Sequence, residues 1–461
     1  MNRLEAGYSR TIITPMVGLG ISGYYGVRIS RGKLDDLRAT AVALRTGDTT
    51  VLLVSADVIS FPTRVANAYR EAIAAATGVP REAIFLHGTH THTGPYLYHP
   101  ETGAKLPEGH DALIDEYVTF LGHRLTDVCR AAIEDLAPAR MGFCVGTVTN
   151  LAKIRRYRMK DGTVKTNPGM GTKDAPEDVL GPIGEVEERV SAVRFDREGK
   201  NDILLTHFGM HPDTISGYYY SADWPGFVTE TLEAALPGVF AVVFNGAQGD
   251  VNTHLVDPNA PCADGMRVNN DPPRGYVEAR YAGRRIAGAV LGIFDRPFYR
   301  DVEDIRFLDE PAVCPANKPR PEDLPEARRL VELHKQGRDG EIPGKGMDFV
   351  TVIAEACRMV ALADGPDTFD IPMAGIAIGD VALVGIAGEP FTAIGRGIRA
   401  SEAEGWELVL PCCCTNGSEG YFPMMDAYEE GGYESRTTRY RAGVGELLTE
   451  KGIEILFKIR K

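Results

Sequence analysis

Residues Phe85 to Pro95 read F-L-H-G-T-H-T-H-T-G-P, an apolar run that delivers His87, His90 and His92 and then stops at a Gly-Pro break. His90 and His92 are separated by one threonine, so on an extended backbone both imidazoles leave the same face. Two nitrogen ligands can reach one metal ion in that way. Imidazole is the commonest protein ligand for zinc and its neighbours, and a strand end opening into a Gly-Pro loop leaves room for water or substrate beside an ion. The rest of the chain is then expected to supply further ligands.

The hydrophobic pattern around this segment is that of alternating strands and helices. Val51 to Ala56 is strand-like, Arg64 to Thr77 has Val65, Ala68, Ala72 and Ala75 on one side, and Ile84 to His87 is again a strand. Helices are expected near 111–136, 225–235, 277–294, 350–362, up to about 403, and 444–456. Strands are expected at 141–151, 190–195, 203–208, 239–244, 371–386 and 408–412. This succession predicts an α/β layered domain with a mixed, largely parallel central sheet flanked by helices. Gly18 to Gly23 matches G-x-G-x-x-G, but the following Tyr24-Tyr-Gly-Val-Arg-Ile-Ser30 is no helix, so a glycine-rich loop is expected and not a dinucleotide site.

Several apolar segments end in a ligand-capable residue beside glycine or proline: His90 and His92, His211-Pro212, Asp250 after Gly249, and Glu389-Pro390. In parallel α/β sheets, ligands collect outside the carboxyl ends of strands, where segments distant in sequence meet. Histidines plus a carboxylate form the side-chain set of a catalytic zinc site with an open position. Taken singly, each has a plainer reading: a lone histidine is ordinarily a hydrogen-bonded side chain, and a Gly-Glu-Pro a turn. Asp57 and Asp223 are candidates for holding ligand histidines, with helix capping as the alternative. Tyr218 to Tyr220 are candidates for a pocket rim, and Asn245 to Asp250 for a loop presenting N–H groups to an anion.

Composition excludes other classes. Lys and Arg number 50 against 64 Asp and Glu, a net charge of -14, which argues against nucleic acid and anionic membrane surfaces as partners. No secretory signal opens the sequence and no apolar run has transmembrane length; the strongest, Met373 to Gly388, carries Asp380 and reads as two strands joined at a Gly-Asp turn. The expectation is a soluble, cytoplasmic protein. Its 8 cysteines show no framework spacing and are read as reduced thiols, with Cys412 to Cys414 ending an apolar segment as core residues and not ligands. A homo-oligomer is the base-rate expectation.

T-H-T-H-T-G-P, Met210-His-Pro212 followed by Ser221-Ala-Asp-Trp-Pro-Gly226, Gly249-Asp-Val-Asn252, Gly388-Glu-Pro-Phe391 and a late tyrosine-rich loop occur in that order. Together they resemble the catalytic, N-terminal domain of the neutral/alkaline non-lysosomal ceramidase family, over roughly Ala6 to Leu456. The resemblance implies one catalytic domain over 1–461, with a surface insertion expected around 311–345 where the sequence is rich in proline and charge. It also implies zinc held by His90, His211, Glu389 and Tyr421, with His92, Arg155 and Tyr433 lying around the metal and its water or substrate oxygen. Such a metal lowers the pKa of its water and polarises a carbonyl, and Arg155 and Tyr433 are placed to donate to an oxyanion.

The chain departs from the family at Asn252, which stands where the family has a catalytic serine. Asn252 cannot be an activated nucleophile, although its amide can position substrate or stabilise an oxyanion. The lipid-active members' signal and extra C-terminal domain are also not evident. The expected activity is therefore zinc-dependent hydrolysis of an amide, ester or lactone in a small polar molecule. The alternatives are a metal-dependent lyase or isomerase on a hydroxylated, sugar-like substrate, and a metal-bearing binding protein without turnover.

Overall fold

A computed structural model describes residues 3–98, 106–168, 178–253 and 272–460. The loop before residue 272, Cys262 and part of the 167–187 excursion lie outside these. Two sheets organise the chain. The larger has nine strands, in the order Val239–Asn245, Asp202–Phe208, Arg189–Arg197, Ala137–Thr147, Glu5–Ile12, Arg38–Thr46, Thr49–Ala56 and Ile84–Gly88, with Phe298–Arg300 also paired to Ala137–Thr147. The smaller has four: Ile305–Asp309, Met373–Ile378, Val381–Ile386 and Leu408–Cys412.

Side chains alternate between faces along each strand, as the period of two requires. In the large sheet Val193, Leu205 and Val242 face one core while Ala192, Leu204 and Val243 face another, packed under helices Asp223–Ala235 and Pro272–Ile293. In the small sheet Ile376 and Leu383 join the first core; Ala377, Ala382 and Val384 pack instead on helices Thr392–Arg399 and Val444–Arg460. The result is a layered α/β molecule with a large mixed sheet flanked by helices.

The sheet is less parallel than the sequence pattern suggests. Its parallel pairings are Thr49–Ala56 with Ile84–Gly88 and Asp202–Phe208 with Val239–Asn245. The smaller sheet adds Val381–Ile386 with Leu408–Cys412. All other pairings within the two sheets are antiparallel. The cause is local: two-residue turns such as Gly47-Asp48 and Gly379-Asp380 close hairpins, whereas a parallel pair needs a crossover of a dozen residues or more. Each parallel pair has such a crossover helix, Thr63–Thr77, Asp223–Ala235 or Thr392–Arg399. These three βαβ units carry the candidate site at their carboxyl ends.

Within 311–345 the structure places helix Leu324–Lys335, which packs on Met347–Ala363 through Ala327, Leu330, Leu333, Ile353 and Ala356. The partly buried Tyr25 packs against the same cluster. Among the described residues no helix is long and apolar enough to cross a membrane.

Candidate metal centre

His90 and His92 follow the first βαβ unit, His211 follows Asp202–Phe208, and Glu389 follows Val381–Ile386. The strand before His90 stops at Gly88, so the two histidines do not share an extended backbone. His90 instead adopts φ +75°, a left-handed conformation costing of order 1–3 kcal/mol for a residue with a side chain. Three contacts hold it there: Thr89 N donates to Ala56 O at 2.9 Å, His90 N to Val58 O at 3.0 Å, and His90 Nδ1 to Ile59 O at 2.7 Å. The kink, and not strand alternation, turns the His90 and His92 rings edge to face with centroids 5.0 Å apart.

The tautomers follow from the carbonyl partners. His90 Nδ1 faces Ile59 O, and His211 Nδ1 faces Gln248 O at 2.8 Å and Val251 O at 3.1 Å, so each donates from Nδ1 and presents a lone pair at Nε2. Both Nε2 atoms lie 3.1 Å from Glu389 Oε2, and His92 Nε2 lies 3.3 Å from His90 Nε2. Nitrogen and oxygen ligands at about 2.0–2.1 Å from a tetrahedral ion stand roughly 3.3–3.4 Å from one another, close to these separations.

The electrostatics couple the same groups to Glu389. Burial raises the Glu389 carboxyl, but His90 and then His211 outweigh it and hold it well below its ordinary range. Burial disfavours the His90 imidazolium, yet Glu389 reverses the direction and raises it. Burial, with Arg155 next in size, pushes His211 down to about 3, and burial together with His90 pushes His92 well below its usual value. Acceptors converging on one point around a single carboxylate suit a cation, and the buried His90, His92 and His211 form a cluster whose ligand atoms all lie within 4.8 Å of one another.

Tyr421 arrives beside Glu389 through a short parallel ladder in which the two residues are directly paired. Its ring stacks on His211, centroids 6.5 Å apart and 18° from parallel, and meets the Tyr433 ring at 5.5 Å. Burial pushes both phenols up, Tyr421 well above its ordinary value. The Arg155 guanidinium sits 5.2 Å from the Tyr421 ring centre. Its Nη1 donates to His211 Nε2 at 3.2 Å and to Asn252 Oδ1 at 3.4 Å, and its Nε to Glu434 Oε1 at 2.7 Å. His90, His92, Arg155, His211, Asn252, Glu389, Tyr421 and Tyr433 thus lie in one connected cluster.

The amide of Asn252 is engaged at both ends, since Nδ2 donates to Asn167 Oδ1 at 3.1 Å. It braces Arg155 through Oδ1, and its Nδ2 carries a second N–H beyond the one given to Asn167. Several other candidates take different partners. Asp57 accepts from Arg38 N at 2.8 Å and Thr89 Oγ1 at 3.3 Å, and Asp223 accepts from Thr214 N and Ile215 N at 2.9 Å each; neither touches a histidine. The Nδ1 atoms of His90 and His211 are oriented instead by the backbone carbonyls of Ile59, Gln248 and Val251. Asp250 caps a helix, accepting from Thr392 N and Oγ1 at 2.8 Å each. The Asn245 to Asp250 loop spends its Gly246 and Gly249 N–H groups on Phe208 O and Pro390 O. Tyr220 is buried with its hydroxyl on Leu19 O, and Tyr218 packs under Arg31. Cys412, Cys413 and Cys414 are buried, as their apolar context suggests.

Two carboxylates escaped the sequence reading. Glu434, fully buried, holds Arg155 and also accepts from Thr166 Oγ1 at 2.7 Å. Asp213 lies beside His92. Their signals were faint: each stands within two positions of a residue already singled out.

No family model matches the chain, and no curated protein matches it in sequence. Solved structures do. The neutral ceramidase from Pseudomonas aeruginosa superposes with a TM-score of 0.71 at 17% identity, covering 100% of this chain and 75% of that one. A ceramidase complexed with C2 gives the same score and identity, covering 100% and 76%. The fold of this chain is therefore that of a neutral ceramidase.

Proposed function

We propose that the chain is a zinc-dependent hydrolase that cleaves an amide, ester or lactone bond in a small polar molecule. The observation that carries the proposal is the meeting of His90 Nε2 and His211 Nε2 on Glu389 Oε2, at 3.1 Å each, with His92 Nε2 alongside. The ceramidase-like fold supports a hydrolase, and the resemblance noted from sequence favours zinc. His90, His211 and Glu389 would hold the ion, with Tyr421 completing the set. When bound, zinc supplies a water of lowered pKa and a polarised carbonyl.

The protein's own groups then divide the remaining work. His92 Nε2 accepts the proton of the attacking water. Arg155, fixed by Glu434 and Asn252, and the Tyr433 hydroxyl donate to the oxygen of the opening carbonyl, a contribution worth about 10²–10³ in rate per donor in comparable sites. Guanidinium, phenol, carboxylate and amide groups around the cluster suit a hydroxylated or otherwise polar substrate. With Asn252 at the position of the family serine, attack by a protein hydroxyl at that position is not available.

A panel of small amides, esters and lactones, assayed before and after chelation and with zinc restored, tests the reading. Turnover that follows the metal supports it. Metal-dependent conversion of a hydroxylated substrate without bond hydrolysis would indicate a lyase or isomerase, and tight binding without turnover a binding protein.

A further inference from the structure

The glycine-rich loop that opens no helix forms one wall of the site. Gly23 has φ +108°, and a Cβ built there would stand 2.8 Å from His92 Nδ1, so a residue with a side chain cannot pass this close. The next residue, Tyr24, sets its ring 5.8 Å from the His92 ring and donates its hydroxyl to Asp213 Oδ1 at 2.5 Å. The same Oδ1 lies 3.6 Å from His92 Nδ1. Arg28 closes the loop: its guanidinium covers the Tyr24 ring at 4.0 Å, and Nη2 donates to His92 O at 2.7 Å and to Ser22 O.

We infer that Tyr24 and Asp213 form a clamp that fixes the tautomer of His92, with the proton on Nδ1 facing Asp213 and the Nε2 lone pair facing the metal cluster. A neutral imidazole has one donor and one acceptor nitrogen, while a carboxylate only accepts. If Nδ1 were the acceptor, its lone pair would face the Asp213 carboxylate in a largely buried place. In return His92 would gain only a neutral hydrogen bond from Nε2 to His90 Nε2. At 3.6 Å the Nδ1–Oδ1 contact is longer than a hydrogen bond and leaves the buried Nδ1 without a hydrogen-bond partner, so it is the carboxylate charge that selects the Nδ1–H form. In a largely buried place that charge attracts a proton on Nδ1 and repels a lone pair there, which one neutral hydrogen bond does not offset. Tyr24 holds the carboxylate oxygen in place for it. Asp213 is thus a positioning residue, acting through His92; its consequence for catalysis rests on the hydrolase reading above, its effect on the tautomer does not.

The test uses the full chain labelled with ¹⁵N-histidine and loaded with zinc. Long-range proton–nitrogen spectra, with His92 assigned by loss of its signals in His92→Gln, should show Nδ1 protonated and Nε2 bare. In Asp213→Asn the two tautomers should mix, and on whichever panel substrate turns over kcat should fall about 10–100-fold with KM and zinc content unchanged. Tyr24→Phe should move both readouts in the same direction by less, and adding it to Asp213→Asn should cost nothing more. A wild-type His92 protonated at Nε2 overturns the inference even if Asp213→Asn fails to fold. So does an Asp213→Asn protein with unchanged tautomer and kcat. If no substrate turns over, the hydrolase reading fails and the spectra alone decide this one.

Discussion

Glu389 and Tyr421 are register partners in a two-rung parallel ladder, so one short backbone pairing delivers a carboxylate and a phenol to the same site. Glu389 N donates to Gly420 O at 2.8 Å, and Gly388, at φ +148°, packs so tightly that a Cβ there would lie 2.5 Å from that oxygen. The ladder does not depend on the phenolic oxygen. Tyr421→Phe should therefore keep the fold and weaken metal retention, by about 10–100-fold in competition with a chelator. Unchanged retention would remove Tyr421 from the ligand set and leave it as packing against His211.

Arg155 and Glu434 are an ion pair with side-chain exposures of 6% and 0%. Removing one partner from such a pair strands a buried charge, at a cost of about 3–5 kcal/mol. Glu434→Ala should lower stability by that order in denaturant unfolding, whereas Arg155→Met combined with Glu434→Leu should cost less than the single change. A single variant within about 0.5 kcal/mol of wild type, the range of ordinary surface changes, would mean the pair is solvated in solution.

What the sequence revealed and what it hid have separate physical causes. The H-T-H spacing, Met-His-Pro and Gly-Glu-Pro located the ligand candidates because each follows a strongly apolar run, and such runs end where βαβ units open. The route by which His90 and His92 converge was not legible, because a left-handed φ at His90 is fixed by tertiary contacts to Ala56, Val58 and Ile59. The parallel fraction of the sheet was overestimated for a related reason: the strand–helix alternation is real at Thr63–Thr77 and Thr392–Arg399, but the hairpin at Gly47-Asp48 leaves little trace in a periodicity count, whereas the Gly-Asp turn at Gly379-Asp380 is legible in the sequence. Glu434 was invisible because a single glutamate in a tyrosine-rich loop gives no sign of burial.

His87 offers a test of buried neutrality outside the ligand cluster. Its Nδ1 donates to Cys413 O at 2.8 Å and its Nε2 accepts from Asn245 N at 3.0 Å, so both nitrogens are committed in the neutral ring. Burial lowers its pKa to about 3, beneath the 6.5 of an exposed histidine. The unfolded chain then binds the proton first, and this contribution to stability is complete above pH 6.5 and is lost on acidification, by about 1.4 kcal/mol per pH unit, down to about pH 3. Asp57 and Asp223, both raised by burial to about 7, act in the opposite sense over the same range. The informative quantity is therefore the difference between wild type and His87→Gln, which should shrink steadily from pH 6.5 towards 4. A difference independent of pH would contradict the assignment.

Asn252→Ser restores the residue type of the family at the cost of the brace between Arg155 and Asn167. Each lost hydrogen bond is worth about 0.5–1.5 kcal/mol, so the variant should fold, turn over small substrates more slowly and leave ceramide untouched. Ceramide hydrolysis by this variant would show that the substrate class proposed here is too narrow.

The central claim is that two imidazoles and a carboxylate, contributed by three βαβ units, close on one divalent cation. Elemental analysis of the purified protein, with His90→Ala and Glu389→Ala in parallel and folding checked by circular dichroism, addresses it most directly. One equivalent of zinc per chain in the wild type, lost in both folded variants, is the expected result. Zinc retained in full by either variant, or a wild type that takes up none when zinc is supplied, would contradict it.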